Sequence, residues 1–451
     1  MGRIIPPDEI PPALRAAALQ GCEESRLLMS RRSMLGITAG LFSAAFTPRL
    51  ASAAGGPDPR LLVVVLRGGM DGVNAVVPHG DPAYVSQRGD IAIPKTATQA
   101  LDGFFGLNPA LSAFGRMYRA KQAAAVHAVC TPLRNRSHFE CQDNLESGLP
   151  DLASNPTGWL NRLLQVLPGG SPIRSHGAIQ IGEAPLLLRG PAPVLGWSPT
   201  WFSHPPESIT SSVSRLLKMR DPELYKALSA GLKSDELAER AGAGEDDVSG
   251  LRKAFRGAAR LLSANDGPRI AVLSVGNFDT HSDQGTTDGF LWGSLNELDL
   301  GLAEFQASGP AIWDDTVIVM ATEFGRTVKV NGDDGTDHGS GTVALLAGGA
   351  VAGGKVHGDW PGLAAKNLDD DALMPTTDLR AVFKGVLLDH LGVAPKLLDE
   401  KIFPQSKAVK PLRGLVRSGA GDALADASAG DAPVAMRPLS PIERYRRLNA
   451  S

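Results

Sequence analysis

The run Leu61-Leu62-Val63-Val64-Val65-Leu66 constrains the fold more than any other stretch of the chain. Six apolar residues in succession, half of them β-branched, cannot form a strand with one wet face. They read as a strand buried on both faces, which places it in a mainly parallel sheet covered by helices. It ends in the glycine-rich turn Arg67-Gly68-Gly69-Met70-Asp71-Gly72. Further apolar runs at 123–129, 178–181, 269–275, 316–321 and 342–347 read as strands, and helical stretches at 111–120, 158–167 and 290–307 lie between them. Strands alternating with helices predict an α/β sandwich with crossover connections.

Residues 205–265 depart from this alternation. They are rich in Ser, Leu, Lys, Glu and Ala, and they predict a helical insertion on one side of the sheet. From about residue 416 Gly, Ala, Asp and Ser dominate, which predicts a mobile tail over 416–451. The end of that tail, Pro441-Ile442-Glu443-Arg444-Tyr445-Arg446-Arg447-Leu448, has the pattern of a short docking helix.

At the other end, Ser30-Arg31-Arg32-Ser33-Met34-Leu35 precedes an apolar run over 36–46 and the small-residue stretch Ala51-Ser52-Ala53-Ala54. A charged segment, a short apolar segment and an A-x-A-like site, in that order, form a secretory signal, and the paired arginines make it resemble a twin-arginine signal. Residues 1–54 are therefore read as an N-terminal extension plus signal, and 55–415 as the folded domain. Asp8, Glu9, Glu23 and Glu24 are foreign to such a signal, and Met29 directly precedes it, so translation is expected to start at Met29. The predicted destination is the periplasm or the medium, with the twin-arginine translocase as partner during export. The apolar run falls short of the roughly 20 residues a membrane span needs, and no later segment qualifies.

The 451 residues carry a formal net charge of -3, so no global field favours nucleic acid or an anionic membrane. The glycine-rich turn does not fit the dinucleotide fingerprint, and the chain has neither a phosphate-binding Gly-Lys-Ser/Thr loop nor a G-x-S-x-G nucleophile elbow.

Polar residues gather just past the apolar runs, where α/β sheets place their sites. Asp71 follows the first strand, Ser137-His138 the run 123–129, and Asp279-Thr280-His281 the run 269–275. Glu323-Phe324-Gly325-Arg326 follows 316–321, and Asp337-His338-Gly339 precedes 342–347. Carboxylates and imidazoles together suit Zn, Mn, Fe or Co, and a metal with an open position activates water or polarises an ester. Each piece alone is more often a loop cap or a structural histidine. The coincidence of five favours one or two ions of a divalent transition metal. Ser137 reads as a metal-activated hydroxyl or as the cap of a helix starting near His138, with Glu140 completing a capping box.

Several strings resemble the DUF1501 family. They are Val65-Leu66-Arg67-Gly68-Gly69-Met70-Asp71-Gly72-Val73-Asn74, Ser137-His138-Phe139 with Gln142-Asp143 and Glu146, and Gly158-Trp159-Leu160-Asn161. Asp279-Thr280-His281, Thr322-Glu323-Phe324-Gly325-Arg326, Thr336-Asp337-His338-Gly339 and Gly358-Asp359-Trp360-Pro361 complete the set, in order, over about 60–405. That family is similar to the alkaline phosphatase and sulfatase superfamily. The resemblance implies a three-layer α/β/α sandwich and a two-metal site at the strand ends. It makes Asp71, Asp279, His281, Glu323, Asp337 and His338 the implied metal ligands. It also implies Ser137 as covalent nucleophile, with His138 beside it. Phe324 stands where the superfamily usually has a histidine.

The implied function is an exported metal-dependent hydrolase of phosphate or sulfate esters acting on a small anionic ester. Arg67, Arg136 and Arg326 then either clamp the substrate or pair with the site carboxylates. The altered ligand set also fits a non-catalytic periplasmic protein that binds carbohydrate or assists surface assembly. Cys130 and Cys141 flank the Ser137 loop, either bridged or as two thiols.

Overall fold

A computed structural model describes residues 58–417, apart from 155, 169–170, 172, 174–175, 184, 200–206, 245–247 and 249. The signal, the Met29 start and the tail beyond 417 lie outside the described residues. In chain order the elements begin β1 (Arg60–Leu66), α1 (Gly72–Ala75), β2 (Val76–Val77), α2 (Tyr84–Arg88), β3 (Gln99–Ala100), β4 (Gly106–Leu107), α3 (Ser112–Arg119) and β5 (Ala123–Cys130). Then come α4 (His138–Ser147), α5 (Trp159–Val166), β6 (Ala178–Ile181), β7 (Leu195–Trp197), α6 (Glu207–Arg220), α7 (Pro222–Arg240), α8 (Gly250–Ser263) and β8 (Ile270–Val275). The remainder are α9 (Gly289–Ser308), β9 (Thr316–Thr322), β10 (Thr342–Ala347), β11 (Val356–His357), β12 (Thr377–Asp378) and α10 (Leu379–Leu391).

The central sheet has the order β11-β5-β10-β9-β1-β8-β6-β7, with β12 also on β5. It is mainly parallel: β1 pairs parallel with β8 and β9, and β6 with β7 and β8. Strand β10 runs antiparallel to both β5 and β9. All seven β1 residues are buried, as an unbroken apolar run requires. Leu62, Val64 and Leu66 point into one core with Phe114 of α3, Phe255 of α8 and Leu298 of α9. Leu61, Val63 and Val65 point into the other with Leu160 of α5 and Val382 of α10. The molecule is thus a three-layer α/β/α sandwich, as expected.

The stretch 205–265 contains helices and, among its described residues, no strand. Its three helices differ. None of the α6 residues is buried, whereas α8 buries Phe255, Ala258 and Leu262 on the sheet. The last of the three is a layer helix that feeds β8. Among the described residues no helix is long and apolar enough to cross a membrane.

Because β1, β5, β8 and β9 point the same way, the loops after Leu66, Cys130, Val275 and Thr322 leave from one edge. The antiparallel β10 begins at that edge, which brings the segment before Thr342 there too.

Candidate metal centre

At this edge the chain turns tightly enough to bring side chains from several loops together. Gly68 and Gly69 have φ of +118° and +68°, a conformation that side chains disfavour. A Cβ on Gly68 would lie 2.5 Å from the Asp279 amide nitrogen, and one on Gly69 would lie 2.3 Å from the Phe324 ring. Bare backbone at the end of β1 lets the β8 and β9 loops close over it.

The side chains of His138, Asp279 and His338 converge so that one ligand atom from each lies within 4.8 Å of the others. His138 Nε2 is 3.0 Å from His338 Nε2 and 3.3 Å from Asp279 Oδ2. His338 Nε2 is 3.4 Å from Asp279 Oδ1. His281 stands outside this compact group but against it, its Nε2 3.0 Å from His338 Nε2 and 3.1 Å from Asp279 Oδ1.

The outer ring nitrogens fix the tautomers. His338 Nδ1 is 2.9 Å from the Arg136 carbonyl oxygen, which can only accept, so Nδ1 carries a hydrogen. His138 Nδ1 donates to Glu323 Oε1 at 2.8 Å, and His281 Nδ1 donates to Asp337 Oδ1 at 3.1 Å. In the neutral rings each Nε2 then offers a lone pair toward Asp279. Lone pairs facing each other at 3.0 Å repel unless a proton on one of the rings or a metal cation lies between them. Ligand atoms each about 2.0–2.1 Å from a tetrahedral ion stand about 3.3 Å apart, close to the separations here. Two imidazoles and a carboxylate, the rings backed by a carboxylate and a carbonyl, match the donor chemistry of Zn, Mn, Fe or Co. Three such donors would leave one position open on a tetrahedral ion.

Electrostatics treat the two rings differently. Burial pushes the Glu323 carboxyl up, but bonds from His138 and Gln142 more than offset it, so Glu323 is held as a carboxylate. That same bond raises the His138 imidazole. Burial and then Arg326 lower His338. Burial likewise opposes ionisation of Asp279, and the Arg326 bond overcomes it.

The structure separates the residues that the sequence grouped. Glu323 is fully buried, and it is an orienting residue. Its Oε1 accepts from the Gly68 amide at 2.9 Å, Gln142 Nε2 at 3.0 Å and His138 Nδ1, while Oε2 accepts from Thr322 Oγ1 at 2.9 Å. Asp337 likewise orients His281, and Asn331 Nδ2 donates to it at 3.2 Å. Asp71 lies away from the cluster. Its Oδ1 caps α1 by accepting from the Val73 and Asn74 amides, and its Oδ2 accepts from Arg88 and Gln284. Both its oxygens are spent, so the implied ligand role does not fit.

Arg326 is buried and does not face a substrate. It donates to the carbonyls of Gly68, Gly69 and Thr336 and to Asp279 Oδ1. Arg67 is bonded to Gln142 and Glu146, and Arg136 to Asp371. Arg326 thus takes the pairing with a site carboxylate, while Arg67 and Arg136 pair with carboxylates outside the cluster. Ser137 occupies the N-cap position of α4, but its hydroxyl makes no capping bond, and Glu140 accepts from Asn135 instead. The capping box does not form. Cys130 and Cys141 are free, buried thiols, so the Ser137 loop is pinned without a disulfide. Phe324 packs its ring 4.8 Å from the rings of both His138 and His338, an apolar wall beside the cluster.

In the sequence His138 stands among the five clustered positions, but as a catalytic partner of Ser137 and not as a candidate ligand. It is the first residue of the helix after β5, at the sheet edge that carries Asp279 and His338.

Fold and site together define an α/β/α sandwich protein with a histidine–aspartate centre at the carboxyl edge of its sheet. Residues 130–390, more than half of the chain, match the family described as "Protein of unknown function (DUF1501)", and the chain belongs to that family. No curated protein matches it. Among solved structures it is similar to murine ectonucleotide pyrophosphatase/phosphodiesterase 5, at 10% identity and a TM-score of 0.30 over 59% of this chain. That match spans only 57% of the murine chain. The phosphonate monoester hydrolase of Agrobacterium radiobacter is similar at 13% identity and a TM-score of 0.35, over 75% of this chain and 74% of that one. The C-terminal periplasmic domain of EcEptC from Escherichia coli, solved with Zn, is similar at 11% and 0.31, over 66% of this chain and 74% of that one.

Proposed function

We propose that this protein is an exported metal-dependent hydrolase of phosphate or sulfate esters. The observation that carries the reading is the aim of His138 Nε2 and His338 Nε2 at the Asp279 carboxylate, with both Nδ1 atoms committed elsewhere. Residues His138, Asp279 and His338 would hold the ion, with His281 beside them. A divalent transition metal bound there supplies positive charge that polarises an ester and favours the ionised form of a hydroxyl.

The chain's own residues do the rest. Glu323 and the Arg136 carbonyl hold the rings against rotation, and Arg326 holds Asp279. The Ser137 hydroxyl, free of a capping bond at the start of a ten-residue helix, is the proposed nucleophile. Its oxygen bonds to phosphorus or sulfur as the bond to the alcohol oxygen breaks and the hydroxyl proton passes to the leaving alcohol. Water then attacks the same phosphorus or sulfur, the bond to the serine oxygen breaks, and one water proton restores the hydroxyl as phosphate or sulfate departs. The amide groups of the α4 N-terminus favour negative charge in that place. The paired arginines at Arg31-Arg32 support export through the twin-arginine translocase to the periplasm, a route for folded cargo that carries its metal.

A second reading, a non-catalytic periplasmic binding or assembly protein, is favoured by one observation: the arginines expected to clamp an anion are already paired. One experiment separates the two. Metal content is measured on mature protein purified from the periplasm, alongside turnover of aryl phosphates and aryl sulfates. The hydrolase predicts stoichiometric transition metal, turnover lost in Ser137→Ala with metal retained, and metal lost in His338→Ala. Protein that takes up no Zn, Mn or Fe and turns over neither ester class sinks the hydrolase.

A further inference from the structure

A polar network lies directly beneath the site, and Gln284 is its hub. Gln284 is fully buried, and an amide so placed is costly unless every polar atom is paired. Here its Oε1 accepts from Thr280 Oγ1 at 2.9 Å and from Thr336 Oγ1 at 2.6 Å. Its Nε2 donates to Asp71 Oδ2 at 2.7 Å. Thr280 stands between Asp279 and His281, and Thr336 stands two residues before His338. Asp71 is fixed in turn by Arg88, whose Nη1 donates to the carbonyls of Thr327 and Val328 at 3.0 Å. Thr327 Oγ1 accepts from the Asp337 amide at 3.0 Å. Asp71, Arg88, Thr280, Thr336 and Gln284 are all buried.

From this we infer that Gln284 is the positioning residue that holds the Asp279 loop and the His338 loop in mutual register, with Asp71 and Arg88 as its anchor. The inference rests on the metal reading above. One amide side chain spans three loops, and its two kinds of atom are matched to two hydroxyl donors and one carboxylate acceptor. No apolar side chain of that size satisfies all three. Asp71, unavailable as a ligand, gains a role here: it tells the hub which way round to sit, because only the NH2 end can face a carboxylate.

The test is a zinc affinity titration against a chromophoric chelator, with the visible spectrum of the cobalt form as second readout. Gln284→Met keeps the volume and deletes the polar atoms. It is expected to weaken zinc binding about tenfold or more, the range for outer residues that orient ligands, and to alter the cobalt spectrum. Thr336→Ser, which keeps the hydroxyl, is expected to bind as the wild type, and Thr336→Val to follow Gln284→Met. His338→Ala is the control for the metal reading. If it binds zinc as tightly as the wild type, the metal centre itself is wrong. If it loses zinc while Gln284→Met and Thr336→Val both keep wild-type affinity and spectrum, the positioning role is overturned. Should Gln284→Met fail to fold, the Thr336 pair decides alone.

Discussion

Glu323 shows how little a residue type reveals without its neighbours. A carboxylate one residue past a strand reads as a ligand, yet its oxygens serve Gly68, Gln142, His138 and Thr322. The expected consequence of Glu323→Gln is zinc affinity reduced about 10–100-fold, because the new NH2 opposes donors where the carboxylate accepted. The chelator titration checks it, and unchanged affinity would remove Glu323 from the orienting role. His127 of β5 supplies a second residue-scale prediction. Its Nε2 donates to the Val76 carbonyl and its Nδ1 accepts from the Ala128 amide, so the buried ring has no place for a second proton. Burial brings it down to about 4, against the pull of the Val76 carbonyl and the Asp71 carboxylate. Its unfolded value is near 6.5, so the neutral ring contributes stability that is present above pH 6.5 and lost as pH falls toward 4. The shift corresponds to about 3 kcal/mol. Urea unfolding of metal-free protein at pH 7 and pH 4.5 should show a smaller pH difference in His127→Gln than in the wild type. Equal differences would mean that His127 does not drive the acid sensitivity.

At the scale of elements, the turn after β1 carries the closest tolerances. Gly69→Ala meets both a positive φ and the Phe324 ring. It should destabilise by about 1–3 kcal/mol, more than the strain term alone, and thermal unfolding measures it. A loss no larger than the roughly 1–2 kcal/mol of backbone strain would show that Phe324 moves aside freely. The strands were legible as elements because β1, β8, β9 and β10 are predominantly apolar runs of the kind a doubly covered sheet buries. Short edge strands such as β7, three residues long with a glycine at its centre, have no periodicity to read. The helix α8 was assigned to an insertion because composition cannot say which helix of a series buries its apolar face. The start of α4 was legible, but its capping was not, since Asn135 draws Glu140 away from the box.

For the whole molecule, the sequence placed the chemistry at one edge of the sheet because strand direction forces it there. Which carboxylates face inward depended on loops whose closure no local pattern encodes. Asp71 and Asp279 look alike in sequence, each just past a strand. One is saturated by a cap, Arg88 and Gln284, while the other keeps an oxygen beside His138. The site draws ligands from the loops after β5 and β8 and from the segment before β10, so these segments approach correctly only in the folded chain. On the proposed reading, metal binding is therefore coupled to global folding. At an ion concentration 100 times the dissociation constant, binding to the native state alone adds about 2.7 kcal/mol. For a domain of this size that raises the midpoint of thermal unfolding by about 4 °C. Calorimetry in chelator and in zinc should show this rise in the wild type and none in His338→Ala. An equal rise in both proteins would place the stabilising ion somewhere other than His138, Asp279 and His338.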